Sequence, residues 1–230
     1  MRFGGLQKLT LLDYPDKVAA TVFTVGCNFR CPFCHNFSLV CGNGEKLELL
    51  TEDEVLQFLA KRRNVLEGVC VTGGEPLIQA DVEAFLSKVR EFGYKIKLDT
   101  NGAFPDRLAK LIEKGLIDYV AMDVKNSKEK YGKTVGCIVD LAAIEQSVDL
   151  LKSGVIDYEF RTTVTATFHT ADSIESMAQW LKGAKRLYLQ QFVDSGDLID
   201  ATVTGVDEET LAKYCEIARK YVPNTQIRGI

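Results

Sequence analysis

Six short runs of apolar and β-branched residues, alternating with segments of helical periodicity, constrain this chain more than any other feature. The runs lie at 18–25, 68–72, 95–100, 119–124, 158–164 and 186–192. The helical patterns lie between and after them, at 52–63, 81–92, 106–114, 140–152, 173–181 and 208–221. Strands that are apolar nearly throughout belong in a sheet covered on both faces, and strand–helix alternation makes that sheet parallel. Local signals agree. Thr51 with Glu54 reads as a capping box, Pro105-Asp106 opens a helix, and Gly93, Gly115, Gly154 and Gly183 stand where four helices should stop. No linker, low-complexity tract or shift of composition interrupts the pattern, so residues 1–230 are expected to form a single domain. Residues 6–14 are expected to add a lead-in strand or turn, and 227–230 a terminal strand.

Ligands of parallel α/β folds gather at the carboxyl ends of the strands. Here those ends are polar. After the first run come Cys27, Cys31 and Cys34, and after the second Gly73-Gly74-Glu75-Pro76. The third ends in Asp99-Thr100-Asn101-Gly102, the fourth in Asp123-Val124-Lys125. The fifth carries Arg161, Thr163 and Thr165, the sixth Gln190 and Gln191. The thiols have the spacing C-x3-C-x2-C, and clustered thiolates suit zinc or an iron–sulfur cluster. A structural zinc takes four protein ligands and a cubane has four irons, so three cysteines fall one short.

Simpler readings account for less. A Cys31–Cys34 dithiol leaves Cys27 and the other strand ends unexplained. Haem attachment at Cys31-Pro32-Phe33-Cys34-His35 requires export, and Met1-Arg2-Phe3-Gly4-Gly5 does not begin a signal peptide. A zinc site using His35 needs adjacent residues as joint ligands, which is awkward geometry. Singly, Gly73-Gly74 reads as a tight turn, and Asp99 and Asp123 as caps or solvated loop residues. Gly132-Lys133-Thr134 lacks the first glycine of a phosphate loop, which is Ser127 here. Cys41, Cys70, Cys137 and Cys215 are scattered and read as small buried hydrophobes, Cys41 being best placed as a spare ligand. His169 reads as a loop residue before a helix, and Trp180 as core.

Composition excludes other classes. A net charge of −4 gives no support to nucleic-acid binding. No apolar run approaches the ~20 residues that span a bilayer, so no membrane association is expected. Seven cysteines, an odd number, fit the reducing cytoplasm better than a disulfide framework.

The three-thiol loop with Phe33 before its last cysteine, followed by Gly73-Gly74-Glu75-Pro76, resembles the radical S-adenosylmethionine (SAM) superfamily. Cys34-His35-Asn36, Asp99-Thr100-Asn101-Gly102 and Met122-Asp123-Val124-Lys125 resemble the activases of glycyl radical enzymes. Leu11-Leu12-Asp13-Tyr14-Pro15, with the Cys31-to-Asn36 loop, is most similar to activating proteins of anaerobic ribonucleoside-triphosphate reductase. The resemblance runs from about Leu6 to Phe192.

It implies one [4Fe–4S] cluster held by Cys27, Cys31 and Cys34, with the fourth iron left for the amino and carboxylate groups of SAM. Reductive cleavage of SAM there yields methionine and a 5′-deoxyadenosyl radical. Gly73, Gly74 and Glu75 are implied at the methionine amino group, with Pro76 stiffening the turn and Phe33 near the adenine. Asp99, Thr100, Asn101, Asp123 and Lys125 are implied along the methionine and ribose, optionally with a monovalent cation. Arg161 and Thr163 are assigned to the SAM carboxylate and ribose. The implied partners are a glycyl radical enzyme, with anaerobic ribonucleotide reductase first, and a low-potential donor such as flavodoxin or ferredoxin. Alternatives are a pyruvate formate-lyase-type activase, a radical SAM enzyme acting on a small molecule, and an iron–sulfur electron carrier. Residues 38–68 offer only Cys41, so no auxiliary cluster is expected. A full barrel typically takes ~250 residues in eight units. The expected architecture is therefore a partial (β/α)6 TIM-like barrel with a parallel sheet, laterally open to admit a protein loop.

Overall fold

The computed structural model describes residues 1–41, 48–194 and 196–229, the Cys41 side chain excepted, so the reading of Cys41 as a spare ligand lies outside the described residues. All six expected strands form, as β2 (Ala19–Thr24), β4 (Gly68–Gly73), β5 (Lys95–Thr100), β6 (Tyr119–Asp123), β7 (Asp157–Val164) and β8 (Leu187–Gln191). Three more flank them: β1 (Arg2–Thr10), β3 (Leu50–Thr51) and β9 (Thr225–Arg228). The lead-in strand starts earlier than its sequence pattern suggests and stops at Thr10. There the Thr10 hydroxyl accepts from the backbone N–H groups of Leu12 and Asp13, turning the chain.

The six expected helices also form: α2 (Glu52–Arg62), α3 (Val82–Glu91), α4 (Pro105–Glu113), α6 (Leu141–Lys152), α7 (Ala171–Trp180) and α8 (Glu208–Arg219). Two five-residue helices, α1 (Phe37–Cys41) and α5 (Tyr131–Val135), are additional. The Thr51–Glu54 capping box closes the start of α2, and Asp140 and Asp207 cap α6 and α8. Each long helix buries one stripe. In α3 it is Val82, Phe85, Leu86 and Val89, the i, i+3, i+4, i+7 pattern of an amphipathic helix.

By contacts the chain gathers into two compact units. The first comprises Met1–Asn28, Ser38–Thr100 and Phe104–Ala121, and the second Phe29–Phe37, Asn101–Ala103 and Met122–Ile230. In the first unit β1 pairs antiparallel with β2 and with β3, while β2, β4 and β5 run parallel, Thr24 opposite Gly73 and Cys70 opposite Lys97. Asp118, just before β6, donates its N–H to Ile96 of β5. Val22, Val69, Val71, Ile96 and Leu98 are fully buried, and Phe3 packs on Phe85 with ring centroids 4.9 Å apart. In the second unit β7, β8 and β9 run parallel, and Val124, just past β6, donates to the Arg161 carbonyl of β7. Alternation along β7 separates two faces. Phe160 and Thr162 point to the helices, Thr162 Oγ1 lying 3.3 Å from Met177 Sδ of α7, whereas Glu159, Arg161 and Thr163 share the other face.

Candidate cofactor site

The first unit carries Cys27 and the Gly73 and Asp99 strand ends. Cys27 follows Gly26, whose N–H is bonded to the Leu39 carbonyl at 2.7 Å. Gly26 also accepts from Glu75 N–H at 2.8 Å, and Thr24 accepts from Gly74 N–H at 2.9 Å. This double tie explains both glycines of the second motif. A Cβ on Gly73, where φ is +109°, would stand 2.4 Å from Thr24 N, and one on Gly74 would stand 1.9 Å from Gly26 O. The chain's own backbone occupies the space that a side chain would need.

Glu75 is fully buried. Its Oε1 accepts from Leu77 N–H at 3.0 Å, capping the short turn Pro76–Ile78, and from the Thr100 hydroxyl at 2.8 Å. The structure thus joins Glu75, Pro76 and Thr100. Asp99, one residue earlier on β5, pairs with the ammonium of Lys97, a side chain only 2% exposed. Cys70 Sγ lies 3.7 Å from both Lys97 Nζ and Asp99 Oδ1.

The second unit carries Cys31, Phe33, Cys34, Asn101, Asp123, Lys125, Arg161 and Thr163. Cys34 N–H donates to the Cys31 carbonyl at 2.9 Å, closing a turn that brings these thiols to one loop. Arg30 N–H donates to Val135 and Asp200 N–H to Pro32, both at 2.9 Å, so the loop is pinned on two sides. Phe33 is buried against Phe168, with ring centroids 5.9 Å apart, which gives it a packing duty in the loop. Asn101 is buried and its Oδ1 accepts from Ala103 N–H at 3.0 Å, shaping its own turn.

Asp123 stands between two cations. Lys125 Nζ is 3.0 Å from its Oδ2, and Arg161 Nε is 2.9 Å from its Oδ1. Burial opposes ionisation of Asp123, but Arg161 and Lys125 outweigh it and hold the carboxyl far below the usual carboxylate range. Lys125 is correspondingly raised, against the effect of burial, by Asp123 and Cys31. Burial pushes the Cys34 thiol up, while the Asn36 backbone and Lys125 pull it down. A thiol coordinated to a metal is deprotonated outright, and an ammonium next to Cys31 and Cys34 suits the negative charge that thiolates bring. This donor set therefore fits an iron–sulfur cluster. Among the described residues no three His, Cys, Asp or Glu side chains converge to hold a single metal ion. A cubane takes one thiolate per iron, so its ligands need not converge on a point. Ammonium or guanidinium groups already face both Asp99 and Asp123, the carboxylates expected beside a monovalent cation.

Sequence reasoning missed three groups here. Lys97 could have been found by parity, because it shares a strand face with Asp99. Glu159 and Arg228 form a bidentate pair at 2.7 and 2.9 Å, with the guanidinium stacked 3.3 Å over the Tyr188 ring. His169 stands in the loop before α7, as expected, but is only 2% exposed, and its ring bonds the backbone of Lys125 and Thr165. No helix among the described residues is long and apolar enough to cross a membrane.

The sequence model of the radical SAM superfamily matches residues 21–182. A Methanocaldococcus jannaschii protein, named as a candidate glycyl-radical enzyme activating enzyme, is 34% identical over 98% of this chain and 95% of its own length. GTP 3′,8-cyclase of Aquifex aeolicus is 29% identical over 87% of this chain and 65% of its own. Among solved structures, a domain of pyruvate-formate lyase-activating enzyme from Bacteroides vulgatus matches 70% of this chain and 99% of that one, at TM-score 0.58 and 17% identity. Streptococcus suis SuiB bound to SAM matches 90% of this chain at TM-score 0.70 and 15% identity, this chain covering 49% of that longer one. At such identities the likeness shows the fold alone, a mixed, mostly parallel, open α/β sheet of the partial-barrel class. A family match over most of the strand–helix units, with a relative aligned along nearly the whole length, means that this chain belongs to the radical SAM superfamily, whose enzymes work with a [4Fe–4S] cluster and SAM.

Proposed function

We propose that this enzyme, acting as one radical SAM domain, activates a glycyl radical enzyme by removing a hydrogen atom from a glycine Cα of that partner. The observation that carries the reading is the alignment, over 98% of the chain, with a relative named as an activating enzyme of this kind. Cys27, Cys31 and Cys34 hold the cluster. When bound, the cluster and SAM would supply one-electron cleavage of the C5′–S bond of SAM, with methionine as the leaving group, and so the means of taking one hydrogen atom from the glycine.

The protein's own part is placement. The N–H groups of Gly74 and Glu75 are spent on Thr24 and Gly26, so the Gly73-Gly74 turn has carbonyl oxygens to offer the methionine ammonium. Glu75 and Thr100 brace that turn through their mutual hydrogen bond. Asp99 and Asn101 line the ribose side with Thr163, and Phe33 backs the adenine. Lys125 and Arg161, steadied by Asp123, supply positive charge for the SAM carboxylate. The partner is anaerobic ribonucleotide reductase, and a low-potential flavodoxin or ferredoxin delivers the electron.

Reconstituted protein mixed anaerobically with SAM, reductant and that reductase should give a glycyl doublet by electron paramagnetic resonance. Silence there, with a doublet on pyruvate formate-lyase, would reassign the partner. A second reading, action on a small molecule, is favoured by the match to GTP 3′,8-cyclase over 87% of the chain. It requires productive SAM cleavage with no protein partner. Cluster redox cycling without SAM-dependent 5′-deoxyadenosine would instead indicate an electron carrier.

A further inference from the structure

Of the groups that the family resemblance implies, a monovalent cation is the one these residues do not suit. In the first unit its carboxylate would be Asp99. Lys97 stands two residues earlier on β5, on the same face, and its ammonium already pairs with Asp99 Oδ1. Cys70, opposite Lys97 on β4, brings its Sγ to 3.7 Å from the same oxygen. Hard cations take oxygen ligands. Asp99 Oδ1 meets a protonated nitrogen and a sulfur instead.

The ammonium is not free to give way. Lys97 and Cys70 are both buried, so displacing the lysine from Asp99 would leave a buried charge away from its counter-charge. A cation that entered without displacing it would meet like charge at close range, where little water screens the repulsion. In the second unit Asp123 is matched more fully still. Lys125 Nζ lies 3.0 Å from one of its oxygens and Arg161 Nε 2.9 Å from the other. Two cations on one carboxylate leave a net positive charge, which suits an anion such as the SAM carboxylate and not another cation.

We propose that Lys97 is a resident cation. Its ammonium takes the place beside Asp99 that a free potassium or sodium ion would otherwise fill, and this enzyme binds SAM without a monovalent metal ion. That inference rests on the reading of Asp99 as part of the SAM site. Lys97 is a positioning residue: it acts through Asp99, neutralising the carboxylate and holding it on one face of β5.

The test is a salt series on the reconstituted, cluster-loaded enzyme, freed of alkali ions and then held at one ionic strength in choline, sodium or potassium chloride. The Kd for SAM, measured by equilibrium binding, should agree across the three salts within about twofold. Tightening by potassium or sodium beyond about twofold would overturn the proposal. Lys97→Ala removes the ammonium and opens space beside Asp99. In choline chloride that variant should bind SAM at least about fivefold more weakly than wild type, and potassium or methylammonium chloride should bring it back to within about twofold. A loss that neither ion recovers, or no loss at all, would show that Lys97 serves packing alone and would overturn the proposal. Thermal unfolding of the cluster-free protein reads the same site without SAM. Potassium in place of choline should raise the Tm of Lys97→Ala more than that of wild type, because only an ion bound to the folded state stabilises it; equal rises would count against the proposal. Should Lys97→Ala fail to fold, the wild-type salt series decides alone. Absence of SAM binding in every salt would bring down the SAM-site reading itself, whereas potassium dependence of wild type would bring down the resident cation and leave that reading standing.

Discussion

Lowering the pH from 7 to 5 should cost this protein about 2 kcal/mol of stability through His169 alone. The ring is buried, and both its nitrogens are used in one neutral tautomer. Nδ1 accepts from Thr165 N–H at 3.2 Å, and Nε2 is 3.0 Å from the Lys125 carbonyl, which can only accept, so Nε2 carries the hydrogen. A second proton would set an N–H against an N–H. Burial, aided by Lys130, brings the pKa down from 6.5 to about 4, against the pull of the two backbone bonds. The unfolded chain therefore binds the proton first as pH falls. The stabilisation is complete above about pH 6.5 and is lost on the way down to about pH 4. A displacement of that size is about 3 kcal/mol when fully expressed, of which about 2 appears between pH 7 and pH 5. The assay is urea unfolding of the cluster-free protein across that range, for wild type and His169→Gln. Glutamine keeps a donor and an acceptor but does not titrate, so every other titrating group cancels in the difference. Wild type should lose about 2 kcal/mol more than the variant. Parallel curves, agreeing within about 0.5 kcal/mol, would show that His169 is not held neutral and would refute the tautomer assigned from its partners.

Other consequences of the site are as direct. Replacing Cys27, Cys31 or Cys34 by Ala should abolish cluster assembly, whereas Cys70→Ala and Cys215→Ala should leave iron content unchanged; equal loss across all five would sink the ligand assignment. Gly74→Ala should lower stability by at least about 2 kcal/mol, read by thermal unfolding, because its Cβ has no space beside Gly26 O. Lys97→Met should cost about 3–5 kcal/mol by removing the buried ammonium that pairs with the Asp99 carboxylate, and Lys97→Met with Asp99→Asn should recover most of it. A double variant as unstable as the single one would mean that Lys97 matters for its packing and not for its charge.

What the sequence made legible, and what it hid, follows from where the partners of each residue lie. The strands and long helices were readable because apolar periodicity and capping are local: Thr51 finds Glu54 three residues away, and Asp207 finds Thr210. Within each unit the polar strand ends were readable because parallel strands end on the same side, β2, β4 and β5 in the first unit and β7 and β8 in the second. Parity along a strand could also have exposed Lys97, since a lysine two residues before Asp99 must share its face, and the same rule groups Glu159 with Arg161. His169 was out of reach for a different reason. Its partners are a main-chain carbonyl 44 residues away and a main-chain N–H, and neither leaves a trace in residue type. Gly132-Lys133-Thr134 misled in a related way. Its phosphate-loop look comes from α5, where Thr134 serves Asn126 and the Lys130 carbonyl.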